Sequence, residues 1–236
     1  MPDAPLPLPL PRPLQPHDLI WLRDAPAFAA SQPLPAWVDA TWLAVAPVVV
    51  RRDLPCDPTC DPTCDLTCDL TCDSSIPVGL RGRRREERHG TWIEASQCAR
   101  VMSPFAIARA ARWQDHPRRL ALPALRTLAR IAPLLDARGL PWGVTGAAGF
   151  TLASGLDVLH PGSDVDLLID AAAPLDQADE QWLAALIDDC TEARLDIQVA
   201  TPHGGFALLE RLRTGGRVLL KTATGPVRCA DPWQAA

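Results

Sequence analysis

The chain has 236 residues, 47% of them hydrophobic, enough to bury the core of one large or two modest domains. Its net charge of −5 excludes nucleic-acid binding that relies on overall positive charge, so any anionic ligand must be held by local features. The longest apolar run, Trp42 to Val50, is far too short to span a bilayer, and the proline-studded opening MPDAPLPLPLPRPL lacks the basic start and apolar core of a signal peptide; a cytoplasmic protein with no membrane segment is expected.

Taken in chain order, residues 1–16 form a proline-rich tail expected to be extended or disordered. The segments HDLIWLR (17–23) and WLAVAPVVVRR (42–52) carry the β-branched and aromatic content of strands. Residues 56–73, CDPTCDPTCDLTCDLTCD, repeat every four residues with no core-forming period. Thiolates bind soft metals, but no second, distant cysteine knuckle accompanies the repeat, and Pro58 and Pro62 prevent a helix that would align the thiols. A low-complexity surface insertion is expected, because lengthening a surface loop costs little closure entropy. Cys98, Cys190 and Cys229 are scattered and read as small core residues.

Strand texture returns at IPVGLRG (76–82), followed by the basic cluster RGRRREERHG (81–90). Such a run is a solvated face or edge-strand protection, or else a docking patch for an acidic partner or a phosphate-rich ligand. Residues 118–140 place apolar side chains at helical spacing, interrupted by Pro123 and Pro133 and stopped by Gly139, which predicts one or two helices. PWGVTG (141–146) reads as a strand, AAGFTLASG (147–155) as a short helix and DVDLLID (164–170) as a second strand. DQADEQWLAALIDDC (176–190) then reads as an amphipathic helix and ARLDIQVAT (193–201) as a third strand. This order predicts an α+β or α/β arrangement in the C-terminal part.

The chemistry concentrates in the strand that begins SDVDLLID. Side chains two apart on a strand share a face, so Asp164 and Asp166 present their carboxylates together. Paired carboxylates repel unless a cation lies between them, and a hard divalent ion such as Mg²⁺ is what they bind. In LDIQV, Asp196 alternates away from Leu195 and Ile197, so a neighbouring strand would bring a third carboxylate to the same place. Three converging aspartates fit a two-metal site for phosphoryl or nucleotidyl transfer. The turn at Gly146 opens a helix whose first N–H groups suit a phosphate chain. An Asp-x-Asp pair by itself arises on the order of once by chance in a chain this long, and Ser163–Asp164 is also good turn chemistry before a strand; the order of elements around it gives the pattern its specificity. The chain holds 22 arginines and one lysine, with no tyrosine and no asparagine, as a GC-rich genome produces by codon bias. Lys221 stands out against that background, since a guanidinium replaces a compact ammonium poorly.

The segments WGVTGAAGF, SDVDLLID, RLDIQV, RVLLKTATGP and the closing DPW, with HDLIWL and VGLRG nearer the start, resemble the malonate decarboxylase holo-acyl-carrier-protein synthases, the phosphoribosyl-dephospho-CoA transferase family. The resemblance runs from His17 onward, excepting the cysteine repeat. It implies an α+β fold: a smaller, mainly β N-terminal domain (17–100, with the insertion 56–73) followed by a nucleotidyltransferase-like domain with a mixed sheet (101–236). It also implies transfer of a phosphoribosyl-dephospho-CoA group from its triphosphoribosyl precursor to a serine of the apo acyl carrier protein subunit of malonate decarboxylase, releasing pyrophosphate; neither nucleic acid nor membrane is a partner. By the same resemblance Asp164 and Asp166 hold Mg²⁺, as two ions, and Asp196 completes the site and orients or deprotonates the serine hydroxyl. Gly146, Ala147, Ser163 and Lys221 would contact the substrate. Nucleotidyltransferases usually follow the motif glycine with serine or glycine, so Ala147 loses a hydroxyl contact while the backbone N–H groups survive, which bears on rate. Two rivals need the same residues to be read differently: a nucleotidyltransferase using ATP, and a binding module with a decayed site, for which Ala147 is the supporting feature.

Overall fold

The computed structural model describes residues 13–31, 33–52 and 75–234. The proline-rich start at 1–12 and the cysteine repeat at 56–73 lie outside them. Two compact units divide at Val101 and Met102.

The first unit is a five-stranded sheet in the order β4-β3-β2-β1-β5, formed by β1 (Leu19–Leu22), β2 (Val48–Val50), β3 (Ser75–Arg81), β4 (Arg88–Glu94) and β5 (Cys98–Met102). Its core gathers Ile20, Phe28, Leu43, Val48, Val78, Leu80 and Ile93. The strand expected over 42–52 is corrected: Ala40–Val45 is helix α2, following α1 (Ala25–Ser31), and only Val48–Val50 pairs into the sheet. The cause is local, because the Asp39 carboxylate accepts the Trp42 N–H at 2.7 Å and caps a helix that buries Trp42 and Leu43.

The basic cluster forms the β3–β4 turn beside the outermost strand, with Arg83, Arg84 and Arg85 exposed and Arg83 stacked 4.5 Å over Trp42. Glu87 turns back into the loop, where its carboxylate accepts the Arg84 N–H at 2.9 Å.

Strands β2 and β3 are antiparallel neighbours, with Val50 opposite Val78 and the Arg51 N–H bonded to the Pro77 carbonyl at 2.9 Å. Residues 53–74 therefore join two chain ends that already meet. Removing residues 56–73 leaves a linker long enough for a hairpin and shortens the closed loop several-fold. We expect such a variant to gain about 1 kcal/mol of stability from closure entropy, with transfer activity retained. A thermal melt and an activity assay check this; a large loss of either would show that the repeat contributes contacts of its own.

The second unit carries a six-stranded sheet in the order β11-β10-β9-β8-β7-β6. Its strands are β6 (Trp142–Val144), β7 (Val165–Asp170), β8 (Leu195–Thr201), β9 (Gly204–Ala207), β10 (Val218–Thr222) and β11 (Gly225–Cys229). Only β7 and β8 run parallel, joined through helix α6 (Gln177–Asp189); the recorded β6–β7, β8–β9, β9–β10 and β10–β11 pairs are antiparallel. Alternation gives this sheet two unlike faces. One presents Val165, Leu167, Ile169, Leu195, Ile197, Val199, Phe206, Val218 and Leu220, all buried. Helices α4 (Pro123–Arg138) and α7 (Leu208–Thr214) pack there, and α6 is tied to both, to α4 by Arg138–Asp179 and to α7 by Arg211–Glu180, each at 2.6 Å. The 118–140 periodicity thus yields one helix, which continues through Pro133. The closing Trp233 fastens onto the same side, donating its indole N–H to the Ala171 carbonyl at 2.8 Å and meeting Phe206 edge-on at 5.6 Å.

On the other face, among the described residues of this unit, helices pack near β6 and β7. Helix α3 (Pro104–Ala110), capped by the Ser103 hydroxyl, approaches β6 so closely that a Cβ on Gly143 would lie 2.6 Å from the Pro104 carbonyl carbon. Helix α5 (Gly146–Ser154) packs against β7.

Candidate active site

The parallel pairing of β7 and β8 sets Asp166 opposite Asp196. Adjacent strands lie about 4.8 Å apart, and paired residues share a face, so the two half-buried carboxylates stand side by side on the partly open face. Register places them there because Val165–Leu195 and Leu167–Ile197 pair on the buried side.

The β6–α5 turn closes over the first of them. The Thr145 N–H donates to the Asp166 carbonyl at 2.9 Å and its hydroxyl adds a 3.3 Å bond to the same oxygen. Gly146, the first residue of α5, has φ +61, and a Cβ built on it would fall 1.8 Å from Asp166 Oδ2. The glycine is thus needed twice, for its left-handed backbone and for the space the carboxylate takes. The positive end of α5, with half-buried Ala147 in its first turn, adjoins the Asp166 carboxylate.

Asp164 lies just outside β7, two residues before Asp166. The ladder begins at Val165, whose N–H bonds to the Arg194 carbonyl at 2.8 Å. Among the described residues, no group of three or more His, Cys, Asp or Glu side chains forms a metal cage. The protein therefore draws two of the three aspartates into register and leaves Asp164 at the approach. Neither the Asp164 nor the Asp196 carboxylate has a hydrogen-bond or ion-pair partner among the described residues. Ser163 is buried and closes the preceding turn, its hydroxyl accepting the His160 N–H at 3.0 Å and its N–H bonding the His160 carbonyl at 2.9 Å. Its visible work is to aim Asp164.

Lys221 is exposed on β10, opposite Gly205, which faces Ala200, which faces Asp170. That chain of pairs puts the ammonium on the carboxylate face, four residues along the strands and two strands across from Asp196. At about 3.3 Å per residue and 4.8 Å per strand, the Cα atoms are about 16 Å apart. Lys221 does not join the aspartate pair.

Burial pushes the Cys98 and Cys190 thiols up, opposed by Arg23 and Arg130 respectively, and holds them protonated and poorly nucleophilic. The signals for α3 and for the β9–β11 meander were present but weak: Ser103–Pro104 is a helix start, and the turn Thr222–Gly225 closes a hairpin.

Residues 107–232 match the model of the phosphoribosyl-dephospho-CoA transferase MdcG C-terminal domain, and residues 15–60 match that of the corresponding N-terminal domain. The chain is similar to the phosphoribosyl-dephospho-CoA transferase of Klebsiella pneumoniae (strain 342), 40% identical over 93% of this chain and 96% of the relative. It is also similar to that of Pseudomonas aeruginosa PAO1, 40% identical over 94% and 95%, and to that of Pseudomonas putida (strain GB-1), 37% identical over 94% and 96%. No solved structure matches the chain.

Proposed function

The chain belongs to the phosphoribosyl-dephospho-CoA transferase MdcG family, and from that premise we propose that Asp166 and Asp196 are the catalytic pair of a metal-dependent, nucleotidyltransferase-type transfer. The protein is a transferase of the phosphoribosyl-dephospho-CoA group; in this reading it takes the 2′-(5″-phosphoribosyl)-3′-dephospho-CoA group from its triphosphoribosyl precursor to a carrier protein and releases pyrophosphate. The acceptor in this reading is a serine of the malonate decarboxylase acyl carrier protein subunit. The observation that carries the residue assignment is the register of Asp166 with Asp196 beside the start of α5.

The donor set fits Mg²⁺. Both groups are hard oxygen ligands, side by side and facing outward. Mg²⁺ is commonly held by one or two carboxylates plus substrate phosphates, so a full protein cage is not required. When bound, the ion would supply Lewis-acid neutralisation of charge on the leaving pyrophosphate. Asp166 and Asp196 would hold it, with Asp164 at the entrance as a further oxygen ligand. The first N–H groups of α5 orient the triphosphate. Asp196 orients the serine hydroxyl and accepts its proton. The serine oxygen bonds to the α-phosphorus, the bond to the bridging oxygen of the β-phosphate breaks, and pyrophosphate departs as the carrier gains a phosphodiester.

Ala147 adds a test of the α5 contribution. Restoring the hydroxyl with Ala147→Ser should raise kcat/KM about tenfold or more, the effect of one added hydrogen bond to a charged oxygen. An unchanged or lower value would place the phosphates elsewhere.

The reaction itself is tested with the purified protein, Mg²⁺, the triphosphoribosyl-dephospho-CoA precursor and the apo carrier subunit, following carrier mass and pyrophosphate release. A mass gain of the prosthetic group with stoichiometric pyrophosphate is expected. Transfer supported by ATP in place of the precursor would overturn the substrate assignment.

A further inference from the structure

Lys221 has so far no chemical use, yet it occupies a particular position. It shares the partly open face with the aspartate pair, and the floor between them is made of small or half-buried residues: Gln198 and Ala200 on β8, Gly205 and Ala207 on β9. On β11, Arg228 pairs with Leu219, placing its guanidinium on the same face diagonal to Lys221, about 7 Å away between Cα positions. Arg228 is exposed and, like Lys221, makes no ion pair among the described residues. Lys221's direct neighbours, Gly205 and Pro226, carry no charge that would neutralise it.

We infer that Lys221 and Arg228 form a second anion subsite, which binds the 5′-diphosphate of the dephospho-CoA moiety and not the departing pyrophosphate. This rests on the transferase reading above. The donor carries two phosphate groups of different fate: the 5″-triphosphate, where the reaction occurs, and the 5′-diphosphate that leads to the pantetheine arm. Two linked ribose rings separate them. The separation of about 16 Å between the aspartate and lysine backbones, shortened by the reach of a lysine side chain, suits the two ends of such a molecule laid across the β8–β9 floor. It does not suit two adjacent phosphates of one chain. Lys221 and Arg228 are thus positioning residues, acting equally in the ground state and the transition state.

The test compares wild type with Lys221→Ala, Arg228→Ala and the charge-retaining Lys221→Arg. Two inhibitors separate the subsites: 3′-dephospho-CoA, which has the 5′-diphosphate alone, and tripolyphosphate, which imitates the leaving end. We expect either alanine variant to weaken inhibition by 3′-dephospho-CoA about tenfold or more and to raise the donor KM similarly, with kcat within a few-fold. Tripolyphosphate inhibition and the thermal midpoint should not change, and Lys221→Arg, which keeps the charge but not the compact ammonium, should recover only part of the loss. Weakened tripolyphosphate inhibition, or a fall in kcat with KM unchanged, would move these cations to the leaving group and overturn the inference. Unaltered inhibition by both compounds would remove the subsite altogether. Failure of wild type to transfer anything, with Lys221-dependent binding of 3′-dephospho-CoA intact, would refute the reaction while leaving the subsite standing.

Discussion

Asp166→Asn and Asp196→Asn should each abolish most transfer, lowering kcat by two to three orders of magnitude while the protein melts within a degree or two of wild type. The size follows from removing a preorganised charge at the point where phosphoryl charge develops. The small stability effect follows from position: both side chains are half-buried on the partly open face, and the apolar pairs that hold β7 to β8 point the other way. Asp164→Asn should cost less than either, because Asp164 lies outside the ladder and adds to the pair without belonging to it. Steady-state rates of carrier modification for the three variants, over a Mg²⁺ titration, give the ranking. If Asp164→Asn were the most damaging and Asp196→Asn nearly silent, the chemistry would have to move from the β7–β8 register to the preceding turn.

How much of this was legible in the sequence depends on where side-chain period and local capping agreed. In β7 and β8 the alternation of Val165, Leu167, Ile169 and Leu195, Ile197, Val199 leaves one reading, and it carries Asp166 and Asp196 to one face. That the two strands are adjacent and parallel is a tertiary fact; the sequence could state it only as a condition. In α2 period and capping disagreed. The valine-rich run after Ala46 extended a strand signal backwards over Trp42–Val45, while the Asp39 cap that decides the matter is a single side chain. Lys221 shows a different failure. Its rarity flagged it, but its distance from the aspartates is set by the β8–β9–β10 pairings, which pass through glycine and alanine positions with no chemical signature of their own.

Gly146 separates two things that sequence cannot, a glycine needed for backbone conformation and a glycine needed for space. Gly155, at the other end of α5, has φ +77 and nothing within 4 Å of where a Cβ would stand; Gly146 has φ +61 and the Asp166 carboxylate at 1.8 Å. Alanine at either position should cost about 1–2 kcal/mol of stability, the strain of a left-handed non-glycine residue. Only Gly146→Ala also pushes aside the Asp166 carboxylate, to which the proposed function gives the catalytic role. A displacement of about 1 Å in a reacting group is worth about a hundredfold in rate, so Gly146→Ala should lose activity far beyond its loss of stability, while Gly155→Ala should retain near-normal kcat at a temperature where both remain folded. Melting curves and carrier-modification rates on the pair decide it. Equal losses of activity in both variants would assign the glycine to helix geometry alone, and a fully active Gly146→Ala would mean that the Asp166 carboxylate works from a position the added methyl does not reach.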